Sequence, residues 1–255
     1  MSENPYPSTV DDQPRLPVER EFGNWRSGPL QGFILAVIGG SIAWFVIEAT
    51  SPVFLIPKEY HLEELGPPPE EVFAHYAAQA KAIRQNAMLD MTWVGAFVAG
   101  MLALGESIRR GCIKPALLAL PIGAVAGCAA GFVGSFARSA LNVDELPSLF
   151  ETVVLQIAML GTLGAGIGLA LGLSTKSWVK VLVSGLFAGI LAGVLYPAAV
   201  SVLLPTTATD TLIPNGATNR IVWIWISVGL LGLITTMTCQ SERPRNDPVK
   251  SEQVT

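Results

Sequence analysis

Apolar residues along this 255-residue chain gather into six long runs separated by short polar connections. The runs are Leu30 to Thr50, Met88 to Ile108, Pro115 to Phe136, Val153 to Ser174, Val179 to Leu204 and Ile221 to Thr238. Each is near the roughly 20 residues that a hydrocarbon core of about 30 Å requires of a helix. Within a run the apolar positions are consecutive, as from Val181 to Leu204. This sets aside a membrane β-barrel, whose strands alternate over roughly ten residues. Backbone amides that face lipid must bond within their own segment, so all six runs are expected to be helices. The predicted fold class is all-α: a polytopic membrane protein with a six-transmembrane-helix bundle spanning 29–239, between tails at 1–28 and 240–255.

The connection over 51–87 is the one sizeable segment outside the predicted spans. Pro67, Pro68 and Pro69 stop one element, and Glu70 and Glu71 after them favour a new helix start. No Gly or Pro then occurs before Gly95, so a single helix is expected from about 70 through the second span. Val72, Tyr76, Ala80 and Ile83 fall on one side of it, the side expected to pack across the mouth of the bundle. The alternative is a helix lying along the lipid headgroups.

Sliding the chain against itself by 66 residues aligns the hairpin of spans two and three with that of spans four and five. Gly95, Gly123, Gly127 and Lys114 meet Gly161, Gly189, Gly193 and Lys180, among nine identities over 45 positions. This reads as a tandem two-helix hairpin repeat. Gly32 and Gly40 align with Gly185 and Gly193, and Gly232 with Gly166, so spans six and one form a candidate third hairpin. A two-span repeat preserves orientation and is therefore parallel, unlike the inverted repeats of many transporters.

Composition agrees with lipid as the main solvent: 51% of residues are hydrophobic and 14% charged, with a mean hydropathy of +0.48. Placing the amino terminus inside puts 11 of the 16 Lys and Arg residues on the cytoplasmic side. The short connections at 109–114 and 174–180 carry Arg109, Arg110, Lys114, Lys176 and Lys180 and no acid. By the positive-inside rule both termini are expected in the cytoplasm of a bacterial-type cell, with the chain in its cytoplasmic (inner) membrane. Trp25, Trp93, Trp178 and Trp223 sit near predicted span ends as interfacial anchors, whereas Trp44 and Trp225 lie deeper and need packing partners. The net charge of −4 shows no basic stripe, which gives no reason to expect nucleic acid.

Chemistry-bearing residues are few. Glu48 near the end of the first span and Asp90 near the start of the second are candidate intramembrane carboxylates; brought together, they would make a proton or cation site. Glu106 precedes Arg109 and Arg110 at the spacing of a helical ion pair. His61 and His75 lack the HxH or HxxxH spacing that fixes two metal ligands on one face, so no metal is expected. Cys112, Cys128 and Cys239 read as small packing residues. Rows of glycine at intervals of four, which include Gly123, Gly127, Gly189 and Gly193, are helix-packing positions; a homo-oligomer face or a pore lining uses the same motif. Pro121 and Pro197 should kink spans three and five.

No nucleophile, metalloprotease or phosphate-loop motif is present, so neither an enzyme nor a cofactor is expected. The expected function is that of a non-enzymatic membrane component or scaffold in the lipid bilayer, holding partner subunits or copies of itself. The alternative is a small-solute or ion permease that uses the hairpin interfaces.

Overall fold

A computed structural model describes residues 28–60, 69–110, 113–141, 149–173, 177–203, 213–214 and 216–241. The tails, His61, Glu63, Glu64, Pro67, Pro68, Cys112, Lys176 and Trp25 lie outside the described residues. The helices are α1 (Gly28–Thr50), α2 (Pro69–Arg110), α3 (Lys114–Ala140), α4 (Leu149–Gly172), α5 (Trp178–Leu203) and α6 (Ala217–Ser241). All six are long and apolar enough to cross a membrane, and the described residues form no strand. The protein is an all-α, six-helix integral membrane bundle. Helix α2 runs unbroken for 42 residues, with Pro69 at its start and Glu70 and Glu71 in its first turn. It spans about 63 Å at 1.5 Å per residue, twice what the bilayer core needs, so its first half extends beyond the apolar layer. Pro121 and Pro197 lie inside α3 and α5, and both helices continue through them.

The helices close into a ring in chain order, α1 to α6 and back to α1, and α4 also touches α2 and α6 across its interior. Burial separates two layers. The apolar windows of α2, α4 and α6 are 56%, 56% and 50% buried, against 33%, 39% and 33% for α1, α3 and α5. The even-numbered helices therefore line the centre. The odd-numbered ones turn large side chains such as Ile38, Phe45, Leu117, Val125, Phe187 and Val202 outward. An exposed apolar belt of that extent is stable against lipid rather than water.

Close backbone approach joins α2 to α3, α4 to α5 and α1 to α6. A methyl group on Gly123 would collide with the carbonyl of Gly95, one on Gly127 with that of Met91, one on Gly189 with that of Leu160, and one on Gly32 with that of Gly232. Gly193 lies equally close to the backbone of Ile157. With no hydrophobic driving force between helices in lipid, this proximity supplies attraction through dispersion and Cα–H···O contacts. The glycine rows thus face their own hairpin partners. The contacts of Gly123 and Gly127 recur 66 residues later in those of Gly189 and Gly193. Gly32 meets the Gly232 backbone as Gly185 meets that of Gly164.

Residues 51–60, the strap, lead from α1 and lie against the extended half of α2. Asn86 clamps it. Its Oδ1 accepts from the amides of Val53 (3.1 Å) and Phe54 (2.9 Å), and its Nδ2 donates to the Phe54 carbonyl at 2.9 Å. Ala74, Ala78 and Ala82 line a cleft of about 540 Å³ against the strap, with Lys81 and Gln85 beside them. The packed side of the extension is therefore not the predicted one: Tyr76 and Ile83 are 56% and 49% exposed, and Ala80 is exposed too. Small alanines let the strap lie close to the helix, which bulkier side chains would prevent. Asn86→Ala is expected to speed amide exchange at Val53 and Phe54 about ten-fold, equivalent to roughly 1.4 kcal/mol; unchanged protection would contradict the clamp.

Candidate functional site: polar groups at the strap end

Buried polar side chains toward the end that carries the strap are Asp90, Ser135, Thr152, Gln156 and Ser227. Gly216, at φ +88°, adopts a left-handed conformation, and its carbonyl accepts the Arg220 amide at 3.0 Å. This starts α6 so that Arg220 stands in the first turn and Trp223 one turn deeper. Arg220 donates from a terminal guanidinium nitrogen to Glu48 Oε1 at 2.6 Å, tying α6 to the last turn of α1. The same two helices are joined by Trp44 Nε1 to the Ala217 carbonyl (3.0 Å) and by Trp225 Nε1 to Ser41 Oγ (2.9 Å). The two deeper tryptophans thus have the partners their depth required.

Asp90 of α2 is 5% exposed. Arg220 holds Glu48, and no hydrogen bond or ion pair among the described residues joins Asp90 to either of them. Among the described residues, no donor forms a hydrogen bond to the Asp90 carboxylate, and Arg220 Nε is buried with no acceptor.

Gln156 of α4 occupies the position matching Asp90 at the 66-residue offset and is fully buried. Its Oε1 accepts from Trp223 Nε1 at 3.2 Å. The Tyr196 ring stands edge-on to Trp223 with centroids 6.4 Å apart. Tyr196 Oη, Ser227 Oγ and Trp93 Nε1 are buried without partners among the described residues. Trp223, expected as an interfacial anchor, is instead 1% exposed, because α6 is a central helix and turns this side chain toward α4 and α5.

Sequence reading singled out Glu48 and Asp90 but missed Arg220, assigned only to a polar connection, and Gln156, Tyr196, Trp223 and Ser227. One signal was available for Gln156, since a primary amide deep within an apolar run has to find a partner. The register of Arg220 against Glu48 depends on how α6 packs on α1, 172 residues away in sequence.

Toward the opposite end, where residues 28 and 241 lie, large apolar side chains fill the interior beside the buried polar Glu106, Ser107, Thr235 and Thr236. Leu102, Leu163, Ile167, Leu171 and Leu231 are 3% exposed or less. The hydroxyls of Ser107, Thr235 and Thr236 bond to carbonyls of their own helices at 2.7, 2.5 and 2.5 Å. Glu106 pairs with Arg109, as its spacing predicted. With the Gln240 amide turned so that its oxygen faces both donors, it accepts from the Gly28 amide (3.1 Å) and from Arg109 (2.7 Å), fastening α1, α2 and α6. Cys239 is 3% exposed in the core, and Cys128 is half-buried.

His75 Nδ1 lies 2.6 Å from the Tyr60 carbonyl, a contact that holds the strap to α2. Among the described residues no three His, Cys, Asp or Glu side chains converge as metal ligands would. The chain matches no protein-family model, no curated protein and no solved structure.

Proposed function

We propose that this protein is a non-enzymatic structural component of the bacterial cytoplasmic membrane, a rigid bundle whose long α2 carries a platform for a partner subunit or a second copy. The observation that carries this reading is the backbone-on-backbone glycine contact in all three helix pairs; in the half of the core nearest the chain termini the buried hydroxyls of Ser107, Thr235 and Thr236 bond to their own helices and Glu106 pairs with Arg109. Residues packed this closely hold a shape well and pass a solute poorly. The matching contacts at the 66-residue offset support duplication of a two-helix hairpin. The basic connections at 109–114 and 174–180 support an orientation with both termini cytoplasmic and the strap outside.

Cysteine accessibility tests the reading. With Cys112, Cys128 and Cys239 changed to serine, single cysteines at Leu102, Leu163 and Leu231 are expected to resist membrane-impermeant thiol reagents from both sides of sealed vesicles. Native-mass measurement after mild extraction is expected to give more than one subunit. Modification of all three cysteines from one side would instead reveal a water path and favour a small-solute permease. That second reading draws its support from the unpartnered polar atoms of Tyr196, Ser227 and Trp93. Tags at both termini should be cleaved together and only in inside-out vesicles; cleavage in right-side-out vesicles would refute the orientation.

A further inference from the structure

The strap is tied to α2 at two levels. Asn86 holds Val53 and Phe54 at one, and His75 meets the Tyr60 carbonyl at the other. The cleft of about 540 Å³ runs along the same stretch, within the range of about 300–1,000 Å³ typical of small-molecule sites. Its two walls differ in chemistry. The strap supplies Val53, Phe54, Leu55 and Pro57, of which Leu55 is 72% exposed, whereas α2 supplies a floor of alanines with Lys81 and Gln85 beside it. Among the described residues Lys81 is the one charged group of the lining, and no carboxylate pairs with it.

Height along α2 decides what surrounds the cleft. The apolar run of α2 begins at Met88, so at 1.5 Å per residue Gln85 stands about 4–5 Å and Lys81 about 10 Å beyond it. Each headgroup layer is roughly 5–7 Å deep and a lysine stem can reach back toward it, which puts the near end of the cleft among lipid phosphates. The charges of α2 follow the same axis. Lys81 and Arg84 stand nearest the bilayer, while Glu70 and Glu71 lie about 15 Å beyond Lys81, in water.

We propose that this cleft binds one anionic phospholipid of the strap-side leaflet, with its phosphate on Lys81 and Gln85 and its glycerol and upper acyl carbons against the strap. Such a lipid satisfies both walls at once. Its phosphate gives the unpaired ammonium a counter-ion, and its hydrocarbon covers Val53, Phe54 and Leu55, which are 48%, 38% and 72% exposed. A free phosphate ion would leave the apolar wall bare, with a single lining cation to hold it. A zwitterionic lipid brings its own ammonium beside Lys81 and loses the charge advantage.

Photo-crosslinking of the full-length protein in lipid vesicles tests the proposal. Phosphatidylglycerol and phosphatidylcholine, each carrying a diazirine near the glycerol, are added in turn as a trace to the same bilayer, and the adducts are mapped by peptide mass. Phosphatidylglycerol adducts are expected on residues 53–60 and 74–85, about five-fold above those of phosphatidylcholine, the ratio expected of one lysine near a lipid surface. Lys81→Gln, at an exposed position, should bring the two lipids level. Ala78→Leu should fill the cleft and lower the adducts of both. Should that variant displace the strap, Lys81→Gln and the two wild-type traces still decide the matter. Excess inorganic phosphate should leave the adducts in place; if it removes them, the site holds a free anion and the proposal fails. It is overturned equally if both lipids label these segments alike, if Lys81→Gln leaves the ratio unchanged, or if adducts fall only elsewhere on the chain, as they would with a protein partner seated on the strap. None of these results bears on whether the bundle interior is dry or carries a water path, so the proposed function stands or falls separately.

Discussion

Gly127→Leu is expected to disrupt the bundle, with a loss of about 3 kcal/mol or more, at the upper end of what overpacking costs. The reason lies in what the new side chain would meet. A methyl group at this position already overlaps the Met91 carbonyl and crowds the Thr92 Cα, so the obstacle is backbone and cannot rotate aside. Helices α2 and α3 must separate, and every Cα–H···O and dispersion contact along the pair weakens with them. The variant should run as a broad, aggregated species with reduced helix content. Gly161→Ala provides the control, since a methyl group there meets only Leu186 and Ile190 side chains, at 3.5 and 3.6 Å. That variant should stay monodisperse. Equal behaviour of the two variants would refute the close-packing account.

Arg220→Met removes the cation paired with Glu48, and is expected to cost about 2–3 kcal/mol, below the usual figure for a buried pair because Glu48 remains 31% exposed. Part of that cost comes from stranding a carboxylate rather than from losing attraction, which a double variant can separate. Adding Glu48→Gln to Arg220→Met should recover roughly 1 kcal/mol by removing the stranded charge. Thermal unfolding in detergent reads both values. If the double variant is less stable than Arg220→Met by the full cost of Glu48→Gln alone, the two residues act independently and the 2.6 Å ion pair has no energetic meaning.

Much of the architecture was legible in the chain because lipid imposes its constraint residue by residue. Apolar runs of bilayer length gave all six helices to within a few positions, and the Pro69–Glu70–Glu71 start with no later breaker gave the long α2. The candidate site was only half legible. Glu48 and Asp90 stand out as carboxylates at the edges of apolar runs, yet the partner of Glu48 comes from the far end of the chain. Hydropathy assigned Arg220 to a connection and Trp223 to an interface. Packing made α6 a central helix, and that choice buried both side chains among α1, α4 and α5.

The sequence alone determined how many times the chain crosses the bilayer, where each helix begins and which faces are small enough for close contact, since these follow from local hydrophobicity, backbone bonding and the size of single residues. It did not determine partners. A row of glycines permits approach to any helix, and only the tertiary structure fixed which backbone each row meets and set Arg220 on Glu48. Those pairings rest on contacts between residues far apart in the chain, and their strength depends on simultaneous fit along whole helices rather than on any one residue.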